Sequence, residues 1–266
     1  MAVGGDAMVA TFCLRLAFGM IASLLVLDPA PIPPRFFRVQ FLVALALTSV
    51  SGYFYFGYDT TGGLWLALVW SAWACFVASI YWHTDKARGG KACISLATLG
   101  LAIVLFLTTP FRTPGDGPIP MVIYALDPWR LADNYASATL LGTATSAMLL
   151  GHSYLISPAM TIAPLRRLLI ALFVALAVRV SLAFFGLWQW TAERSLGNLE
   201  TETLLWLTTR WLLGLIAPLV LGWMAWETAR IRSTQSATGI LYVVVIVCFL
   251  GELMSLLLLQ KTGSIL

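Results

Sequence analysis

The chain has 266 residues, of which 60% are hydrophobic and 11% are charged, and its formal net charge is +4. Soluble domains carry about 25% charged residues, so this composition excludes an ordinary soluble domain. The basic residues cluster mainly in loops on one face and form no nucleic-acid-binding stripe. The four cysteines have no CxxC spacing, which argues against a disulfide framework or a metal site. We therefore expect one polytopic transmembrane domain over residues 1–266, with the lipid bilayer as its surroundings and no nucleic-acid partner.

Eight apolar segments are long enough to cross a hydrocarbon core of about 30 Å. Because a backbone in lipid must satisfy its own hydrogen bonds, all eight are predicted to be helices of one all-α bundle. The first is predicted to be a retained span, since Arg15 interrupts it and no small-residue cleavage site follows. The predicted spans are 8–27, 37–56, 64–83, 93–109, 135–157, 168–190, 204–226 and 237–259.

The loops between these spans alternate in charge, which predicts their orientation. One set contains nine basic residues and the other set contains four, so the positive-inside rule places the first set in the cytoplasm. Both termini are then expected on the outer side of the plasma (inner) membrane. The nine residues are Arg35, Arg38, Lys86, Arg88, Lys91, Arg166, Arg167, Arg230 and Arg232.

Two pairs of similar stretches raise the question of an internal duplication. The stretch "DPAPIPPRFFR" at 28–38 is similar to "SPAMTIAPLRR" at 157–167, and "WSAW" at 70–73 is similar to "WMAW" at 223–226. A 4+4 repeat of helices in parallel explains both pairs. Independent occurrence of proline loops and tryptophan-rich helix ends explains them equally well.

Ionisable side chains inside the predicted spans are the strongest functional signal. Each costs about 2.5–3.5 kcal/mol on insertion, and they usually mark a function. Arg15, Arg179, Arg210 and Glu252 leave an excess of two positive charges. In a structural interpretation, Glu252 pairs with Arg210 or Arg15 and the other arginines extend to the interface. In a functional interpretation they line a polar pocket for a phosphate, a haem propionate or a quinone oxygen.

The two histidines are predicted cofactor-binding residues. His152 lies on a helix rich in small residues, and His83 ends the third predicted span. Together they suit the axial ligands of one b-type haem, and His152 alone suits proton transfer to a quinone. The alternative is that His83 is an ordinary interfacial aromatic residue and that His152 serves packing.

A polar stretch near the last cytoplasmic loop is predicted to dock a partner. Such a surface suits a cytoplasmic protein or an anionic head group, whereas a helix N-cap with cytoplasmic arginines is the structural alternative. The predicted docking residues are Glu227, Arg230, Arg232, Arg166 and Arg167.

The absence of Walker A, GxGxxG, HExxH and GxSxG motifs favours an accessory subunit over a stand-alone enzyme. The leading hypothesis is a membrane subunit of a quinone-linked or haem-containing electron-transfer complex, which docks membrane or peripheral redox subunits. One alternative is a small transporter or carrier for an anionic substrate or lipid, with Glu252 coupled to protons and Pro218 breaking a helix. The other is a non-catalytic scaffold subunit.

Overall fold

The computed structural model describes residues 5–55, 62–84, 89–109, 128–157, 160–193 and 200–263. Over these residues the chain is helical and contains no strand. A 3-10 turn (Leu24–Val26) follows the first helix, and a π-helical segment (Arg210–Ile216) joins the seventh to the eighth. The α-helices are α1 (Gly5–Ser23), α2 (Pro34–Tyr55), α3 (Gly63–Tyr81), α4 (Gly90–Leu107), α5 (Pro128–Ile156), α6 (Ala163–Glu193), α7 (Thr201–Thr209), α8 (Ala217–Arg230) and α9 (Thr234–Thr262).

Seven helical stretches in the described residues are long and apolar enough to cross a membrane, which confirms a multi-pass helical membrane protein. The run from α7 through the π segment to α8 counts as one of them, Thr201–Arg230. The fifth predicted span, 135–157, corresponds to α5, which starts earlier at Pro128 and is not among the seven. The sequence therefore predicted the helix but overestimated its apolar character.

Helix α5 lies at the centre of the bundle, where it packs against α1, α6 and α9. Several of its hydroxyl groups donate to its own backbone: Thr143 donates to the Thr139 carbonyl at 2.7 Å, and Thr145 donates to the Leu141 carbonyl at 2.8 Å. Such back-bonding lets hydroxyl residues occupy a dry interior. The helix is thus less apolar than its neighbours because protein surrounds most of it.

Helices α1 and α5 cross at two glycines. A Cβ atom added to Gly19 would overlap the backbone of Ala138, and one added to Gly142 would overlap the backbone of Gly19. Near this crossing, the hydroxyl oxygens of Ser23 and Ser146 are 2.7 Å apart. Small residues on both helices allow this close approach.

With α7, the π segment and α8 counted as one span, the helices pack as two groups of four in chain order. In the first group α1 packs against α2 and α4, α2 against α3, and α3 against α4. In the second group α5 packs against α6 and α9, α6 against α8, and α8 against α9. The crossing of α1 and α5 joins the two groups.

The loops predicted to be cytoplasmic meet at one end of the bundle, which we call the basic end. Asp28, after α1, lies 3.5 Å from the Lys91 ammonium at the start of α4 and 3.7 Å from Arg167 in α6. Arg166 lies over the ring of Trp226, near the end of α8, at 4.9 Å. These contacts bring the starts of α4 and α6 and the end of α8 together.

At the opposite end, charged contacts join the ends of α5, α7 and α9. Arg130 donates to the carbonyl of Gly263 at 2.7 Å, and the Lys261 ammonium lies 2.6 Å from Glu200 and 2.9 Å from Glu202. The hydrogen bond from Lys261 lowers the pKa of the exposed Glu200 carboxyl below its usual value. These contacts fix the helix ends without burying charge.

The π segment precedes a proline and crosses α9 closely. Pro218 has no N–H and cannot donate to the carbonyl of Gly214, which favours a wider turn over regular α-helix at this point. A Cβ added to Gly214 would lie 2.7 Å from the Cα of Gly251 in α9. The irregular backbone is therefore held directly against a neighbouring helix.

Candidate functional site

The four charged residues predicted inside the spans meet in one buried cluster. Arg15 comes from α1, Arg179 from α6, Arg210 from the start of the π segment and Glu252 from α9. None of the four is more than 5% exposed. The arginines therefore do not extend to an aqueous interface, contrary to one of the structural alternatives.

Glu252 is the central acceptor of this cluster. It forms a salt bridge with Arg15 through Oε1, and its Oε2 accepts from the hydroxyl of Ser137. The same Oε2 lies 3.4 Å from Nη2 of Arg179. Both carboxylate oxygens are thus occupied by Arg15, Arg179 and Ser137. Of the two partners predicted for Glu252, Arg15 and Arg210, the structure shows a salt bridge with Arg15.

A second buried carboxylate, Asp133, was missed by the sequence analysis. It forms a salt bridge with Nη1 of Arg179, whose Nη2 also donates to the hydroxyl of Ser255 at 2.9 Å. The predicted span began at 135, which left Asp133 in a loop. Pro128 was the available signal, because proline is favoured at the first position of a helix. Asp133 reduces the expected excess of two positive charges to one among the described residues.

An amide network ties the cluster to α4. Arg15 Nε donates to Asn134 Oδ1 at 2.5 Å, and Asn134 Nδ2 donates to the Thr109 hydroxyl at 2.9 Å. Thr109 in turn donates to the backbone carbonyl of Leu105 at 2.8 Å. Because Nε of Arg15 is bound by Asn134 and its Nη1 by Glu252, this guanidinium is held in place by protein groups.

Arg210 differs from the other two arginines. It is 2% exposed, and its Nη2 has no hydrogen-bond partner among the described residues. Glu252 attracts its charge and Arg15 repels it, but Glu252 is already bound by Arg15 and Arg179. A buried donor without a partner costs about 1–3 kcal/mol, and more when it is charged. Arg210 is therefore the member of the cluster that can accept an anionic ligand.

A small cavity with a volume of about 10 Å³ lies beside Arg210. That is close to the space needed for one water molecule. Its walls combine charged side chains, leucines, a cysteine and the two glycines at which the π segment crosses α9. They are formed by Leu140, Leu141, Arg179, Arg210, Gly214, Leu215, Cys248, Gly251 and Glu252.

The two histidines lie outside this cluster. His83 is exposed after the end of α3, and its Nδ1 is 3.0 Å from Nη1 of Arg38. Since a guanidinium only donates, this contact requires Nδ1 of His83 to be the acceptor. His152 is also exposed, near the end of α5. Their roles as haem ligands or as a proton carrier stay predictions.

The predicted docking residues all lie at the basic end. Glu227 and Arg230 form an exposed ion pair of 3.6 Å within α8, and Arg232 takes a left-handed backbone conformation (φ 60°) in the turn before α9. Arg166 and Arg167 make the contacts with Trp226 and Asp28 given above. Partner docking stays a prediction. Lys86 and Arg88 fall outside the described residues.

A scan against protein-family models, a search of curated proteins and a search of solved structures each find no match.

Proposed function

We propose that this protein is a membrane carrier for a small anionic substrate, with Arg210 as the residue that binds it. The observation that carries the proposal is the buried, unpartnered guanidinium nitrogen of Arg210 beside a cavity. An anion placed there would accept a hydrogen bond from Nη2 and neutralise a charge that the described residues leave without a counter-charge of its own. A charge-assisted bond of this kind is about twice as strong as a neutral one.

The backbone around Arg210 supports a carrier over a rigid scaffold. Arg210 is the first residue of the π segment, and π-helical turns are frequent at functional sites. Transporters also place binding sites at interrupted helices within the bilayer. This span is helical throughout, but its π segment before Pro218, held against α9 where Gly214 crosses Gly251, gives it an irregular turn next to the charged residue.

Uptake by the reconstituted protein tests this proposal. We expect proteoliposomes to accumulate a labelled anion and Arg210→Gln to reduce the rate about tenfold or more, because a hydrogen bond to a charged group contributes about 1.5–3 kcal/mol. Arg210→Lys retains the charge and should retain part of the activity.

The matched control is Arg35→Gln, which removes an arginine from an exposed position at the start of α2. We expect it to leave uptake within twofold of the unmodified protein. If Arg35→Gln and Arg210→Gln reduce uptake equally, Arg210 is not the binding residue. If the unmodified protein takes up no anion faster than empty liposomes, the carrier proposal is wrong.

The electron-transfer hypothesis stays a prediction with its own test. A quinone oxygen or a haem propionate would also accept a hydrogen bond from Arg210. His83 and His152 are the predicted ligands of a b-type haem, and redox subunits are the predicted partners. A reduced-minus-oxidised absorbance spectrum of the purified protein decides whether haem is present.

We also propose that the basic end faces the cytoplasm and that both chain termini lie outside the plasma membrane. The contacts of Asp28 with Lys91 and Arg167 support this orientation, since they place loops of the basic set at one end. In intact cells, an impermeant maleimide should label Glu200→Cys, whereas Arg232→Cys should react only after lysis. The partly exposed Cys93 is first changed to serine, because the other three cysteines are buried. Labelling of Arg232→Cys from outside would contradict the orientation.

A 4+4 duplication is the remaining structural proposal. It is supported by the same packing order of helices in the two groups of four. It is also supported by the two similar loop stretches: α2 begins at Pro34 and α6 at Ala163, and each is the seventh residue of its stretch. Independent occurrence of proline loops would not require this matching position.

A further inference from the structure

The charges of the buried cluster can be counted over the described residues. Three guanidinium groups (Arg15, Arg179 and Arg210) face two carboxylates (Asp133 and Glu252). Arg15 pairs with Glu252, and Arg179 pairs with Asp133 and Glu252. One positive charge, that of Arg210, is therefore left without a counter-charge of its own in a buried part of the bundle.

We infer that the substrate at Arg210 carries one negative charge and is small enough to lie between the π segment and α9. This inference rests on the proposed function. A single anion brings the cluster to neutrality, whereas a dianion would leave an excess negative charge in the same interior. The cost of moving an ion out of water rises with the square of its charge, so a dianion also loses far more hydration free energy on entry.

The walls of the cavity set the size of the substrate. The open space is close to that of one water molecule. Gly214 and Gly251 are in backbone contact on one side, and Leu140 and Leu215 form apolar walls. A large polyatomic anion would have to separate the π segment from α9 at this crossing. All four test monoanions (chloride, bromide, nitrate and formate) match the charge, and chloride comes nearest to the size of the open space, whereas sulfate matches neither the charge nor the size.

Thermal unfolding of the purified full-length chain in mild detergent tests the inference. Sodium gluconate, whose anion is too bulky for the cavity, keeps the ionic strength constant while it is replaced by chloride, bromide, nitrate, formate or sulfate. A ligand that binds the folded state raises the midpoint, and the rise grows with the logarithm of one plus the ratio of its concentration to its Kd. We expect at least one small monoanion to raise the midpoint of unfolding at a concentration at least tenfold lower than the sulfate concentration that gives the same rise.

Two variants assign the effect to the charge of the cluster. Arg210→Gln makes the cluster neutral and should abolish the monoanion effect. Asp133→Asn adds one net positive charge to the cluster. The ratio of the sulfate concentration to the monoanion concentration that gives the same rise in midpoint should therefore fall at least tenfold. Both concentrations are measured on the same variant, so the ratio does not depend on the basal stability of that variant.

The outcomes separate the inference from the proposed function. If sulfate acts as well as the monoanions, or if no anion shifts the midpoint while uptake persists, the single-charge inference is overturned and the carrier proposal stands. If neither an anion effect nor uptake is seen, the carrier proposal also fails. Stabilisation by phosphatidylglycerol over phosphatidylcholine, without any effect of free anions, would identify a lipid head group and overturn the small-anion assignment.

Discussion

Replacing Gly142 with alanine is expected to lower the free energy of unfolding by about 3 kcal/mol, at the upper end of the range for overpacked cores. The new methyl group would overlap the backbone of Gly19, which cannot rotate away as a side chain can. Helices α1 and α5 would have to separate, and their crossing joins the two groups of four helices. Thermal unfolding in detergent should show a midpoint about 6–12 °C lower, at about 2–4 °C per kcal/mol for a chain of this size.

Gly239→Ala is the matched control for this prediction. Gly239 is also a helical glycine, in α9, but it is exposed and a Cβ added there meets no atom within 4 Å. Alanine is favoured over glycine in a helix by up to about 1 kcal/mol, so this variant should be neutral or slightly more stable. Equal shifts of the same sign in the two variants would show that the crossing is not tightly packed.

Replacing Arg179 with methionine is the second change with a large expected effect. The guanidinium of Arg179 is bound by Asp133, Glu252 and Ser255. Its removal leaves Asp133 as an uncompensated buried charge, and breaking a buried ion pair in this way costs about 3–5 kcal/mol. The loss should appear as a lower free energy of unfolding and a lower yield of folded protein.

A double-mutant cycle separates the ion pair from the loss of packing. We expect Arg179→Met with Asp133→Asn to be less destabilised than the sum of the single changes, with a coupling of about 1–3 kcal/mol. The exposed pair of Glu227 and Arg230 is the control, and its coupling should be about 0.5 kcal/mol or less. The assignment fails if the buried pair couples no more strongly than the exposed one.

Helix α5 shows the limit of hydropathy as a guide to a span. Its sequence predicted a helix of small residues, and the structure shows close approach to α1. Hydropathy does not, however, distinguish a helix that faces lipid from one enclosed by protein, because an enclosed helix can retain Ser and Thr bonded to its own backbone. The early start of α5 at Pro128, which brings Asp133 into the core, was missed for the same reason.

The sequence by itself determined that this is a multi-pass helical membrane protein, and it selected Arg15, Arg179, Arg210 and Glu252. Both conclusions follow from transfer free energies, which depend on residue type and on local runs of apolar residues. Only the tertiary structure decided the partners within the cluster. Arg15 and Glu252 are 237 residues apart in the chain, so packing of α1 against α5 and α9 brings them together. The same packing gives Arg179 two carboxylates and leaves Nη2 of Arg210 without a hydrogen-bond partner among the described residues. The proposed anion site depends on this difference.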